Sequence, residues 1–388
     1  GLSNSIHPVL NRVYAARGVR KPVDIARELA GLIPASKLKG MDKAVEVLVS
    51  AMQQQKRILI VGDFDVDGAT SSALAVLALR KMGAQHVSFL VPNRFEFGYG
   101  LTPEIVEVAE SHSVEGAPEL LITVDNGISS IEGVSRAKDK GWEVLVTDHH
   151  LAGECLPNAD AIVNPNQEGC DFPSKSLAGV GVIFYVMTAL RTQLQSLNWF
   201  EQQNIEMPNM AHFLDLVALG TVADVVPLDS NNRILVHHGL RRIRAGFCRP
   251  GIKALIEVSQ RKLNRLVASD LGFSLGPRLN AAGRLDDMAR GIECLLTENE
   301  WQAKELALEL DSLNGDRKKI EESMRQSAME SLENMSLDEV QLPFGVCLFD
   351  ESWHQGVVGI VASRIKDRYN RPVVAFALAS DESENAEG

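Results

Sequence analysis

The sequence predicts an α/β protein: a mainly parallel sheet flanked by helices, a long connector helix, and part of a second α/β unit. Three observations carry this reading. Between residues 57 and 150, short β-branched apolar runs alternate with stretches of helical periodicity. From about residue 176 the pattern turns mostly helical. Near Phe344 a fresh strand-helix-strand pattern opens.

Residues 1–56 read as small amphipathic helices, with examples at 26–32 and 44–52. The run Arg57-Ile-Leu-Ile-Val-Gly62 is a buried strand by length and branching. A helix over 68–82 follows, then a strand over 87–91, a helix near 103–111 and a strand over 120–124. A helix near 130–140 leads into a strand over 143–147. Strands separated by helices of this length make βαβ units and a parallel sheet. Apolar stretches at 180–190, 213–225 and 233–243 predict helices, punctuated by Pro227, Pro250 and Pro277. In the charged segment 298–333, Leu306, Leu310, Leu313, Ile320 and Met324 recur at helical spacing and predict one rigid connector. The expected division is a helical segment 1–56, a sheet-bearing domain 57–297, the connector 298–335 and a partial second domain 340–388. The last unit is too small to close a core alone, so the chain is expected to be cut through its final domain.

Composition sets limits. Hydrophobic residues at 45% and charged residues at 23% are ordinary for a folded domain. No apolar run has the length of a membrane span. Five scattered cysteines, none in a CxxC pair, argue against a disulfide framework or structural zinc and fit a reducing cytoplasm. The net charge of −12 argues, by itself, against nucleic acid. Its distribution argues the other way: residues 233–290 carry +8 and the rest −20. Such a block predicts a local surface for an anionic partner.

The acids are the informative feature. Asp63, Asp65 and Asp67 follow the first strand, Asp125 follows the strand over 120–124, and Asp148-His149-His150 follow the strand over 143–147. In an open parallel sheet these strand ends border the ligand crevice. Unpaired, so many acids repel one another, and divalent cations resolve the conflict. Asp65 and Asp67, two apart, point the same way on an extended backbone and can serve two neighbouring metals bridged by Asp125. Mixed carboxylate and imidazole ligands favour Mn²⁺ or Mg²⁺. Two such ions support in-line phosphoryl displacement. A calcium EF-hand loop from Asp63 would need Glu at its twelfth position, which is Leu74.

These residues, Gly62-Asp-Phe-Asp-Val-Asp-Gly68, Thr123-Val-Asp-Asn-Gly127 and Asp148-His-His150, resemble the DHH phosphoesterase superfamily. The segments 91–101, 216–227, 276–284 and 353–363 are similar to its bacterial single-strand DNA exonucleases. The resemblance implies a DHH catalytic domain, a connector and a DHHA1-type second domain. It implies Asp65, Asp67, Asp125, His149 and Asp224 as ligands of two Mn²⁺ or Mg²⁺ ions, with Asp63 as a ligand or a neighbour of one. His150 is expected to face the scissile phosphate. Arg94, beside Phe95, Phe97 and Tyr99, is expected to clamp phosphate. Arg278, Asn280 and Arg284, in an expected loop, are candidate backbone contacts, and His354 a group reaching substrate across the cleft.

The implied activity is 5′→3′ degradation of single-stranded DNA to 5′-mononucleotides, in recombination and repair. Implied partners are single-stranded DNA, a single-strand-binding protein and a helicase, with no membrane. Two alternatives stand beside it: a phosphoesterase of pyrophosphate, very short RNA or cyclic dinucleotides, and an inactive DNA-binding scaffold. The basic block and connector disfavour the first, and the filled ligand positions disfavour the second.

Overall fold

A computed structural model describes residues 6–112, 116–334 and 344–378. Five parallel strands form one sheet in the order β2-β1-β3-β4-β5: β1 Ile58–Gly62, β2 Val87–Leu90, β3 Leu120–Val124, β4 Glu143–Thr147 and β5 Ala161–Val163. Strands β1 and β3 are buried throughout, as the unbroken Ile/Leu/Val runs require of a sheet covered on both faces. The chain runs from β1 to β2 at one side and returns to β3 at the other. The switch point therefore falls between β1 and β3, where the acidic motifs end these strands.

One face of the sheet is covered by helices Pro103–His112 and Ile131–Asp139, which share a core with Leu59, Val61, Leu121 and Val146. The other face holds the larger core. Helix Val66–Lys81 is buried on nearly every side, because helices Gly179–Ser196 and Leu214–Ala223 pack around it. Helix Met41–Gln54 joins the same core through Met41, Ala44, Leu48 and Met52. Residues 26–32, expected to be helical, form only a single 3₁₀ turn, Leu29–Gly31. Strand β5 is not anticipated by the sequence pattern, because three residues carry too little periodicity.

The connector, Glu300–Asn334, serves two cores. Leu306, Ala307 and Leu310 complete the main core. Met324, Ala328 and Leu332, further along, pack against Val346, Leu348, Trp353, Val357 and Val361. The second unit comprises β6 Val346–Phe349, helix Val358–Tyr369 and β7 Val373–Phe376, with the two strands parallel. It closes its core by borrowing the end of the connector. Among the described residues, no helix is long and apolar enough to cross a membrane.

Helix Ser230–Arg244 reaches helix Leu214–Ala223 so closely that a Cβ on Gly239 would lie 2.1 Å from the Leu214 carbonyl oxygen. Gly239→Ala must therefore separate the two helices. Chemical denaturation is expected to show a loss of about 1–3 kcal/mol, the usual range for overpacking; a loss below about 0.5 kcal/mol would contradict this packing.

Candidate metal centre

The strand register builds the centre. Gly62 pairs with Val124, and Val124 with Thr147, so Asp63, Asp125 and Asp148 leave three adjacent strands side by side. Asp125 adopts φ 63°, a left-handed conformation that Asp tolerates. Helix Val66–Lys81 starts directly after Asp65, so Asp65 and Asp67 do not share the expected extended backbone. Asp65 caps the helix, its Oδ1 accepting from the N–H groups of Asp67 and Gly68 at 2.8 and 3.0 Å. Asp67, inside the first turn, accepts from the N–H groups of Gly179 and Val180 at 2.6 and 2.9 Å. Those N–H groups open helix Gly179–Ser196, whose positive end favours a carboxylate.

Three overlapping clusters result, with ligand atoms within 4.8 Å of one another: Asp67, His149 and Asp224; Asp63, Asp65 and Asp125; and Asp125, His149 and His150. Asp125 joins them, since its Oδ1 lies 3.1 Å from His149 Nε2. The same nitrogen is 3.7 Å from Asp224 and 3.9 Å from Asp67. His149 Nε2 is the ring nitrogen that faces these carboxylates. Asp125 Oδ1, His149 Nε2 and Asp224 Oδ2 are all buried without a hydrogen-bond partner among the described residues. Two carboxylate oxygens and an imidazole nitrogen thus converge unsatisfied, an arrangement that fits a divalent cation.

Titration follows burial. Asp63 is pushed up to about 7 by burial and by Asp65 beside it. Asp224 rises to about 6 through burial and Asp65. Asp67 and Asp125 are raised by burial and by their acidic neighbours. Burial, then His150, lowers His149 to about 4, so it is neutral and ligand-competent near pH 7.

Asp148 has a different task. Burial alone would raise it, but His150 and surrounding N–H groups outweigh that and hold it below its ordinary value. It accepts from the N–H groups of Ile128, His149 and His150, and from His150 Nδ1 at 2.7 Å. Its hydrogen bond raises the His150 pKa, and the His150 side chain stays 45% exposed. Asp148 is therefore the orienter of His150, a role that its place in the motif does not reveal. Asn164 and Asn166, after the unpredicted β5, fix the carbonyl oxygens of His150 and His149. The Tyr99 hydroxyl lies 3.2 Å from His150 Nδ1.

The remaining expected contacts are placed less simply. Arg278, Asn280 and Arg284 stand on a helix, Gly276–Leu285, and not in a loop, because a π-turn over Leu271–Leu275 runs straight into it. Asn280 Oδ1 accepts from the Val66 N–H at 3.1 Å, so it supports the acidic loop. Arg278 pairs with Asp311 of the connector at 2.8 Å. Arg284 donates to the Gly356 carbonyl at 3.1 Å, tying the helix to the second unit. His354 Nδ1 accepts from the Gly356 N–H, and burial lowers its pKa. Arg94 opens a short helix, Arg94–Phe97, but its side chain lies outside the described residues. A concavity of about 870 Å³ between helices Met41–Gln54 and Gly179–Ser196 is lined without this cluster.

Residues 57–221 match the DHH family, N-terminal domain. The single-stranded-DNA-specific exonuclease RecJ of Salmonella typhimurium is 57% identical over 98% of this chain and 65% of its own length. A crystal structure of exonuclease RecJ bound to manganese matches with TM-score 0.74 and 36% identity, over 88% of this chain and 80% of that one. RecJ from Thermus thermophilus in complex with Mg²⁺ matches with TM-score 0.68 and 32% identity, over 94% of this chain and 47% of that one. The chain belongs to the DHH family, in its RecJ branch. It spans about two thirds of the length of the curated Salmonella relative.

Two outcomes test the centre. Asp63 and Asp224, raised above their unfolded values, stabilise the metal-free fold below about pH 4, and that contribution is lost as pH rises through about 6–7. His149, lowered, has the opposite sign, but its change is complete near its ordinary 6.5. The metal-free Tm is expected to fall from about pH 6.5 to about pH 8, and the Tm gain on adding Mn²⁺ to grow over that window. A flat gain would count against the centre. A Cβ on Gly179 would sit 2.5 Å from Asp125 Oδ1. Gly179→Ala is expected to weaken Mn²⁺ binding by about 10–100-fold in calorimetry.

Proposed function

We propose that the chain is a two-metal exonuclease that degrades single-stranded DNA 5′→3′, releasing 5′-mononucleotides in recombination and repair. The observation that carries this reading is the convergence of buried, unsatisfied oxygen and nitrogen atoms next to a half-exposed histidine held by a carboxylate. Mn²⁺ and Mg²⁺ are the proposed ions, in keeping with the RecJ structures that contain them. When bound, such a pair lowers the pKa of a water and neutralises charge on attacking and leaving oxygens.

The chain's own groups do the rest. Asp63, Asp65 and Asp125 hold one position, while Asp67, His149 and Asp224 hold the other. Asp125 spans both. His150, fixed by Asp148, presents a polarised N–H toward the phosphodiester; its raised pKa favours the charged, donating form. Arg94 and His354 are proposed substrate contacts. Arg278 and Arg284 join them when a strand's phosphates compete for their present partners, and Asn280 acts by keeping the acidic loop in place. A single-strand-binding protein and a helicase are the proposed protein partners, and the cytoplasm the proposed compartment.

The test is hydrolysis of 5′-labelled single-stranded DNA by this chain with Mn²⁺, with Mg²⁺ and with EDTA. Nucleotide release is expected with either ion and lost with EDTA, and Asp125→Ala should fall to the EDTA level. Undiminished hydrolysis by Asp125→Ala would refute the bridging carboxylate. Faster turnover of pyrophosphate than of oligonucleotide would overturn the substrate assignment.

A further inference from the structure

The basic block does not form one surface facing the metal centre. Several of its cations are tied within the fold: Arg233 to the Asp24 carbonyl, Arg244 to the Leu266 carbonyl, Arg261 to Asp270, Arg278 to Asp311 and Arg290 to Glu309. Another of them, Arg242, joins positive charge from outside the block at a place remote from the centre. Asp67 lies in the first turn of helix Val66–Lys81 and Lys81 ends it, so Lys81 stands about 21 Å of helix from the centre.

Around that far end, four separate segments bring positive charge together. They are Lys81; His212 of the turn Met210–Phe213; Arg242 of helix Ser230–Arg244; and Arg249 beyond that helix. Arg249 donates to the His212 carbonyl at 3.2 Å and pairs with the buried Asp215. Partial burial, then Arg242, Lys81 and Arg249, push the His212 pKa below its ordinary value. Among the described residues, Lys81, His212 and Arg242 form no ion pair, although Asp215 also faces His212, and Arg242 Nε is buried without a hydrogen bond. The Arg242 guanidinium lies 5.9 Å from the centroid of the Phe247 ring, which is 67% exposed.

Helix polarity explains part of this, since Arg241, Arg242 and Arg244 sit at the negative end of their own helix. It accounts equally for Lys81 at the end of its own helix, but not for His212 brought beside them from a third element, nor for an aromatic ring left in water beside a cation.

We propose that this patch is a second binding surface for single-stranded nucleic acid, remote from the metal centre. Phe247 stacks an unpaired base, and Lys81, His212 and Arg242 contact the flanking phosphates. A duplex offers no open base face to such a ring. An acidic peptide would use the cations and leave the flat ring without a matching group. The choice of DNA as the strand rests on the nuclease reading above; the surface itself does not.

The experiment measures fluorescence anisotropy of a labelled oligothymidylate in EDTA, with wild type, Phe247→Ala and the double variant Lys81→Ala/Arg242→Ala. Phe247→Ala is expected to weaken binding about tenfold, the size of one lost stack. The double variant should lower the slope of log affinity against log salt by about one to two. Both should melt at the wild-type temperature and hydrolyse a dinucleotide with Mn²⁺ at the wild-type rate. Unchanged affinity and salt slope in both variants would overturn the proposal. So would tight binding of polyglutamate that competes with the oligonucleotide and ignores Phe247→Ala, because the patch would then take acidic protein. Absence of hydrolysis in wild type, with the Phe247 dependence intact, would sink the nuclease reading and support this surface.

Discussion

The structure depends on a repulsion. A parallel register places Asp63, Asp125 and Asp148 on neighbouring strands, about 4.8 Å apart in the pairing direction, inside a largely dry crevice. Such acids cannot all be ionised and unpaired. The fold answers in two ways. Asp148 is satisfied wholly by protein, with N–H donors and an imidazole around it. Asp125 and Asp224 are left with oxygens that nothing among the described residues satisfies. One carboxylate is satisfied by the scaffold and the others keep unsatisfied oxygens, although all began as acids near the ends of secondary elements.

The surrounding helices are arranged to sustain that division. Helix Gly179–Ser196 gives its first N–H groups to Asp67 and, being glycine at position 179, lets Asp125 lie against its start. A Cβ on Gly220 would fall 2.9 Å from Asp67 Oδ1, so helix Leu214–Ala223 also approaches through a glycine. Val225, directly after Asp224, takes φ 65° and is 82% exposed, a strained conformation for a β-branched residue. That strain sits where the chain must turn sharply after delivering its carboxylate.

Much of this is legible in the sequence. The strands over 120–124 and 143–147 coincide with β3 and β4, since buried β-branched runs flanked by polar residues leave little choice of boundary. The candidate acids Asp63, Asp125 and Asp148 are visible because strand ends collect them, whereas Asp224, which follows helix Leu214–Ala223, is indicated only by the family resemblance. Strand order is not, since pairing is set by crossovers that periodicity does not encode. Asp65 as a helix cap is hidden because the helix begins sooner than the extended spacing of the acids suggests. The helix bearing Arg278, Asn280 and Arg284 is masked by Gly276-Pro277, which reads as a loop signal, although Pro is welcome in a first helical turn. Charge counting locates a basic block but not its folding onto internal acids and carbonyls, which only tertiary contacts decide.

The connector has a consequence of a different kind. One uninterrupted helix is gripped by the main core through Leu306 and Leu310 and by the second core through Met324 and Ala328. Between them lies a polar stretch, Gly315-Asp-Arg-Lys-Lys319, in which Asp316, Lys318 and Lys319 are exposed and have few packing demands of their own. Its length is nonetheless fixed. Adding or removing one residue there would turn the second unit by about 100° and shift it about 1.5 Å along the axis. Arg284 would then lose the Gly356 carbonyl. Substitutions at the exposed positions should drift freely over evolutionary time, while insertions and deletions should be purged, so the segment conserves its count of residues more than their identity.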